Sequence, residues 1–258
     1  MAGAAQSRLV ATPIYAADLY PDVVAAGSLA AALEAVAAES GPPFPVILCG
    51  SNPLGRVTVP SAVPHRKALV INAYVWKRHW YIRGQEASQA LDLIGGDTDD
   101  LVAIAKAARA WHTGAALAEI RASAPYVRLS GRFEVTDNDP VQMTASEWQH
   151  MLTEAGETDW PEYQALIEAA YAEPTLRALY PFTSHWILRF STSTRPYLST
   201  IPPCLSAPRG DGRYTVSTHL MGEVIAQTTT AAEAVAAAVR HMPGSLGPMT
   251  FGAAPKSS

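Results

Sequence analysis

A chain of 258 residues suits one large domain or two small ones and can bury a core without staples. Apolar residues make up 48% and charged residues 16%, which excludes a disordered chain; much of the apolar share is alanine, pointing to helices with small faces. A net charge of −4 with scattered basic residues argues against a general nucleic-acid binder.

Cys49 and Cys204 form no CxxC or Cys/His cluster, so neither a structural zinc site nor any other metal site is expected, and nothing demands a disulfide. No run of about 20 apolar residues offers a membrane span. The start MAGAAQSRLVATP lacks a basic stretch followed by an apolar run, so no signal peptide is expected, and the expected location is the cytoplasm with reduced thiols.

In chain order, 1–13 reads as a loose terminus. Residues 16–40 carry helical spacing at Val23, Val24, Leu29, Leu33 and Val36, with a break at Gly27 and Ser28 as a cap. Short strands are predicted at 45–49, 57–59, 69–76 and 80–83. Gly95-Gly96-Asp97-Thr98 reads as punctuation before a helix running from Asp99 to Trp111, closed by Gly114. It lacks EF-hand spacing and the P-loop lysine. A short helix at 116–123 and a strand at 126–135 follow. Thr144-Ala145-Ser146-Glu147 and Asp159-Trp160-Pro161-Glu162 match capping boxes, the second opening an aromatic helix. Pro174 either starts a second helical piece or kinks the first.

After a corner at Pro181 the period becomes two. Trp186, Leu188 and Phe190 then face one way and His185, Ile187 and Arg189 the other. Strands at 197–205, 213–218 and 223–227 complete a small sheet, with a turn at 209–212. Thr230-Ala231-Ala232-Glu233 caps the last helix, and the Pro/Gly/Ser-rich tail reads as frayed. The order helix, short strands, helix occurs twice. The expected fold is therefore α+β, two similar lobes at 16–114 and 159–244, each a small antiparallel sheet with flanking helices, joined by a helical linker at 115–158. The repeated order suggests an internal duplication, the two units either pairing their sheets or standing as separate lobes with a ligand cleft between.

The candidate site residues are Tyr180, His185 and Arg189. On one strand face, His185 and Arg189 stand about 13 Å apart at Cα and share a ligand by leaning together. The histidine exchanges protons near neutral pH and the arginine holds an anionic group. Structural roles compete: a histidine bonded to a neighbouring strand, an arginine paired with Glu168. Ser184 beside His185 is not read as a nucleophile, because adjacent strand residues point to opposite faces and no G-x-S-x-G elbow exists. The cluster Tyr74, Trp76, Lys77, Arg78, His79, Trp80, Tyr81, Arg83 would stack bases, but it also fits an edge hairpin with a turn at 77–79, and a nucleic-acid partner is read as unlikely.

The segments ALIEAAYAEPTLRALYPFTSHWILRFSTSTRP, GRFEV, SEWQH, TAAEAVAAAVRHMP and WHTGAALAEIRASAPYV resemble an actinobacterial family of unknown function whose members are labelled natural-product biosynthesis proteins. The resemblance implies an accessory or tailoring protein that binds a small-molecule or peptide intermediate, with Tyr180 orienting it if the protein is catalytic. A partner biosynthetic enzyme is a further expectation. A non-catalytic scaffold for a precursor peptide and an immunity-type binding protein are the alternatives. No dinucleotide fingerprint, P-loop or zinc ligand set is present, so no cofactor is expected.

Overall fold

The computed structural model describes residues 18–210 and 212–253. The expected loose terminus and Asp211 of the predicted 209–212 turn lie outside the described residues. The chain is mixed helix and sheet, with antiparallel sheets in two compact units. One comprises residues 18–63, 68–84 and 94–128, the other 64–67, 85–93 and 129–253.

The first unit opens with α1 (Pro21–Ala25) and α2 (Leu29–Ser40). Gly27 separates them at φ +83°, and the Ser28 hydroxyl accepts from the Ala31 N–H at 3.1 Å, as a cap should. A meander follows: β1 (Ile47–Leu48), β2 (Arg56–Val59), β3 (Leu69–Ala73), β4 (Trp80–Gln85) and β5 (Asp92–Thr98). Then come α3 (Leu101–Thr113), α4 (Leu117–Ser123) and β6 (Arg128–Leu129). Asp100 caps α3 through the Val102 N–H at 2.8 Å, and Gly114 ends it in the left-handed region. Alternation along β2, β3 and β4 buries Val57, Ile71 and Ile82 with Leu33, Ile104 and Trp111.

Two strand expectations change. Gly95 and Gly96 are not punctuation but lie inside β5, where a Cβ on Gly96 would stand 2.6 Å from the Tyr126 carbonyl oxygen. The strand expected over 126–135 shortens to β6. Beyond it, the Ser146 hydroxyl takes both backbone groups of Phe133, donating to its carbonyl at 2.8 Å and accepting from its N–H at 3.1 Å, so no neighbouring strand is needed. Gly84 is equally constrained: a Cβ there would sit 2.6 Å from the Trp111 ring and 2.7 Å from Ile94. Gly84→Ala should cost about 2 kcal/mol by overpacking, read as a lowered midpoint in urea.

The second unit holds α5 (Pro140–Glu157), α6 (Pro161–Ala172) and α7 (Pro174–Arg177). Of the stretch expected as a linker, α4 belongs to the first unit and α5 to the second, where Trp148, Met151 and Ala155 join the core. Both capping expectations shift. Asp139, not Thr144, caps α5, accepting from the Val141 N–H at 3.0 Å, while the Thr144 hydroxyl donates to the Pro140 carbonyl at 2.8 Å inside the helix. Trp160 occupies the cap of α6 without a side-chain bond, leaving Asp159 one residue too early.

Next come β7 (Tyr180–Ser184), β8 (Ile187–Ser191), β9 (Ser193–Pro196), β10 (Thr200–Ser206), β11 (Tyr214–Ser217), β12 (Val224–Thr228), α8 (Ala231–Arg240) and β13 (Thr250–Gly252). The sheet runs β12-β11-β10-β8-β7. Pro181 is no corner: β7 is an edge strand, which tolerates a proline. Leu188, Phe190, Leu205 and Val216 bury one sheet face with residues of α5, α6 and α8. The tail does not fray through Gly252, because β13 pairs in parallel with β9.

Residues 64–67 are tied to the second unit by Glu134. Its carboxylate accepts from Arg66 Nη2 at 2.7 Å and lies 3.0 Å from His65 Nε2. Burial pushes the Glu134 carboxyl up, but the Arg66 hydrogen bond and charge, with His65, outweigh it and hold it below the usual carboxylate range. A lowered folded-state value contributes stability above the unfolded value, and that contribution is lost as pH falls through the lowered one. Glu134→Gln should therefore flatten the loss of stability on acidification, measured as urea midpoints across the acidic range.

Candidate functional site

A groove of about 620 Å³ opens on the second unit. Its walls come from three separated stretches: Val141 to Trp148 of α5, Tyr171 to Leu179 around α7, and Leu246 to Met249 before β13. Trp148 fixes the floor. Its Nε1–H points at the carbonyls of Arg177 and Leu179, each at 3.1 Å, and its ring lies 5.7 Å from that of Tyr171. At the rim the Arg177 guanidinium stands 5.7 Å over the Tyr171 ring and donates to the Tyr171 carbonyl at 3.3 Å. The lining is mostly apolar, with Arg177 its cation. Such a site takes an apolar body and can meet one acidic group.

The sequence-predicted residues lie elsewhere. His185 and Trp186 are not strand residues: both have positive φ, +55° and +66°, and form the two-residue turn joining β7 to β8. Trp186 thus leaves the face of Leu188 and Phe190. It is 42% exposed and packs edge-on against Tyr163 at 5.3 Å. The turn also brings Ser184 Oγ within 3.2 Å of His185 Nδ1, a contact that strand alternation would forbid. Being local and exposed, it orients the imidazole rather than building a triad.

Arg189 stands opposite Phe182 and 4.9 Å over its ring, and its side chain reaches the Cys204 sulfur. Burial raises the Cys204 thiol's pKa, against the lowering effect of Arg189, so this is no activated nucleophile. Tyr180 is sealed in the interior. Burial first, then the charge of Glu147, raises its phenol pKa and keeps it neutral. Beside the hairpin turn His185 lines a second, more polar cavity of about 370 Å³ with Ser206, Arg209, Arg213 and Thr215. Arg209 donates to the His185 carbonyl at 2.8 Å and stacks 5.3 Å over Trp160.

Residues 142–253 match the model of a family of unknown function, DUF6193. That span contains the His185 cavity and all of the groove except Val141. No curated protein and no solved structure matches the chain. Among the described residues no cluster of three or more His, Cys, Asp or Glu is placed to hold a metal ion, and no helix is long and apolar enough to cross a membrane.

The groove was not found in the sequence. Trp148 and Tyr171 lie in stretches that read only as helices, and the third wall belongs to a tail that composition alone marks as frayed. Arg209 reads only as part of a turn and Arg213 only as the start of a strand.

Proposed function

We propose that this chain is a binding protein whose second unit holds an apolar molecule bearing one acidic group in the Trp148 groove. The observation that carries this reading is the apolar wall of Trp148, Tyr171, Leu179, Leu246 and Met249 with Arg177 at its rim. The volume is that of a drug-sized molecule. The resemblance of residues 165–196 to natural-product biosynthesis proteins of actinobacteria supports a pathway intermediate, small molecule or peptide, as the occupant. On this reading the protein is an accessory of a cytoplasmic pathway. The helix, meander, helix order of both units supports a duplicated unit as its origin.

The test is displacement of a naphthylamine dye by decanoate. Ala145 is exposed on the groove wall, so Ala145→Trp fills the groove without entering the core. Saturable displacement in the parent that vanishes in this variant supports the reading; equal displacement in both defeats it.

The polar cavity supports a second, enzymatic reading. There His185 moves a proton while Arg209 and Arg213 hold an anionic group, in place of the Arg189 and Tyr180 partnership expected from sequence. His185→Ala should abolish turnover of a pathway intermediate while leaving dye binding intact. Unchanged turnover removes His185 from the chemistry.

A further inference from the structure

The first unit's sheet has an open face. Arg56, Asn72 and Tyr81 stand opposite one another across β2, β3 and β4, and Thr58, Val70 and Arg83 form the next row. The intervening row, Val57, Ile71 and Ile82, is buried, so alternation places the other two rows together on the outer side. At the hairpin end, Tyr74 lies 5.6 Å from the Tyr81 ring and 4.9 Å from the Trp76 ring, with Lys77 5.1 Å over it. Trp76 is 70% exposed and Tyr81 37%. Asp97 meets Lys77 at 3.8 Å and Arg128 at 4.0 Å, two cations on one carboxylate, with the His79 ring at 3.9 Å.

We propose that this face binds single-stranded nucleic acid, with bases stacking on Trp76 and Tyr81 and phosphates meeting Arg56, Lys77, Arg83 and Arg128. A sheet carrying exposed rings among cations is a stacking platform that tolerates any base. A duplex hides its ring faces and would leave the aromatics unused. An acidic peptide would use the cations but not the rings. The local reading as a hairpin holds, since Tyr20 donates into the 74–79 turn and Arg78 pairs with Asp22 at 2.7 Å. What sequence order conceals is that Arg56 stands in the row of Tyr81, while Arg128 reaches Asp97 beside Lys77.

The experiment is fluorescence anisotropy of the full chain with labelled oligo(dT) and oligo(U) of about 15 nucleotides, from low to physiological salt. Binding should weaken with salt, and Arg56→Ala and Arg128→Ala should each reduce the logarithmic salt slope by about 0.7. Trp76→Ala and Tyr81→Ala should each weaken binding about ten-fold, with Tyr81→Phe retaining it. Both rings are exposed enough for the variants to fold, which circular dichroism checks. The dT and U arms separate DNA from RNA. No binding at low salt overturns the proposal. So does binding that ignores both ring variants and is competed equally by polyglutamate, which would mark a face for an acidic protein.

Discussion

Glu147→Ala should destabilise the second unit by about 3–5 kcal/mol, the cost of stranding a buried charge. Glu147 sits on α5 with its side chain 7% exposed, and Arg132 faces it at 9%. The pair is bidentate, Arg132 Nε to Glu147 Oε2 at 2.7 Å and Nη2 to Oε1 at 2.9 Å. The remaining arm, Nη1, donates to the Asp92 carbonyl at 3.1 Å. Removing the carboxylate leaves a largely buried guanidinium with the two arms that met Glu147 unsatisfied. Removing both partners, as Arg132→Met with Glu147→Leu, should cost far less, because the desolvation penalty disappears with the charges. Urea unfolding of Arg132→Met, Glu147→Leu and the double variant gives the coupling directly. A double variant as unstable as Glu147→Ala would show that packing, not the stranded charge, sets the cost.

Gly252→Val should detach the third wall of the groove while the core stays folded. A Cβ at Gly252 would lie 1.9 Å from the Thr194 carbonyl oxygen and 2.7 Å from that of Tyr197, both rigid backbone atoms. No side chain fits, so β13 must leave β9, and Leu246 to Met249 lose their anchor. Overpacking confined to one two-stranded contact costs about 1–3 kcal/mol and is relieved by local release. Dye binding should fall more than about ten-fold, one decade per 1.4 kcal/mol lost. Amide exchange should rise across 246–252 and remain slow at Leu188 and Phe190. Unchanged dye affinity with a released tail would take the tail out of the site.

These two residues show what sequence reveals and what it hides. Caps were legible at Ser28 and Thr230, because a side-chain oxygen three residues before a free N–H acts locally, whereas the helix expected from Asp99 starts at Leu101 with Asp100 as its cap. The α+β class and most strands were legible from period. Frame was harder: Thr144 and Asp159 satisfy the capping pattern yet sit inside or before the helix. The 185–186 turn was hidden because His-Trp lacks the Asn or Gly that usually marks positive φ, so alternation was carried through it. Gly95 and Gly96 read as punctuation and Gly252 fell in a tail that reads as frayed, although close backbone approach requires Gly96 and Gly252. The groove needed three stretches of chain to meet, which no local pattern encodes. His185, expected on a strand face with Arg189, instead sits in a turn and lines a cavity with Arg209 and Arg213 from the segment between β10 and β11.

Methyl-resolved NMR of the full chain titrated with decanoate tests the groove most directly. Saturable shifts should appear at the methyls of Val141, Ala145, Leu179 and Leu246, grow with concentration, and vanish in Ala145→Trp, while Leu33 and Ile104 of the first unit stay still. Shifts absent from those four groove methyls, or centred on other residues, would contradict the groove as the binding site.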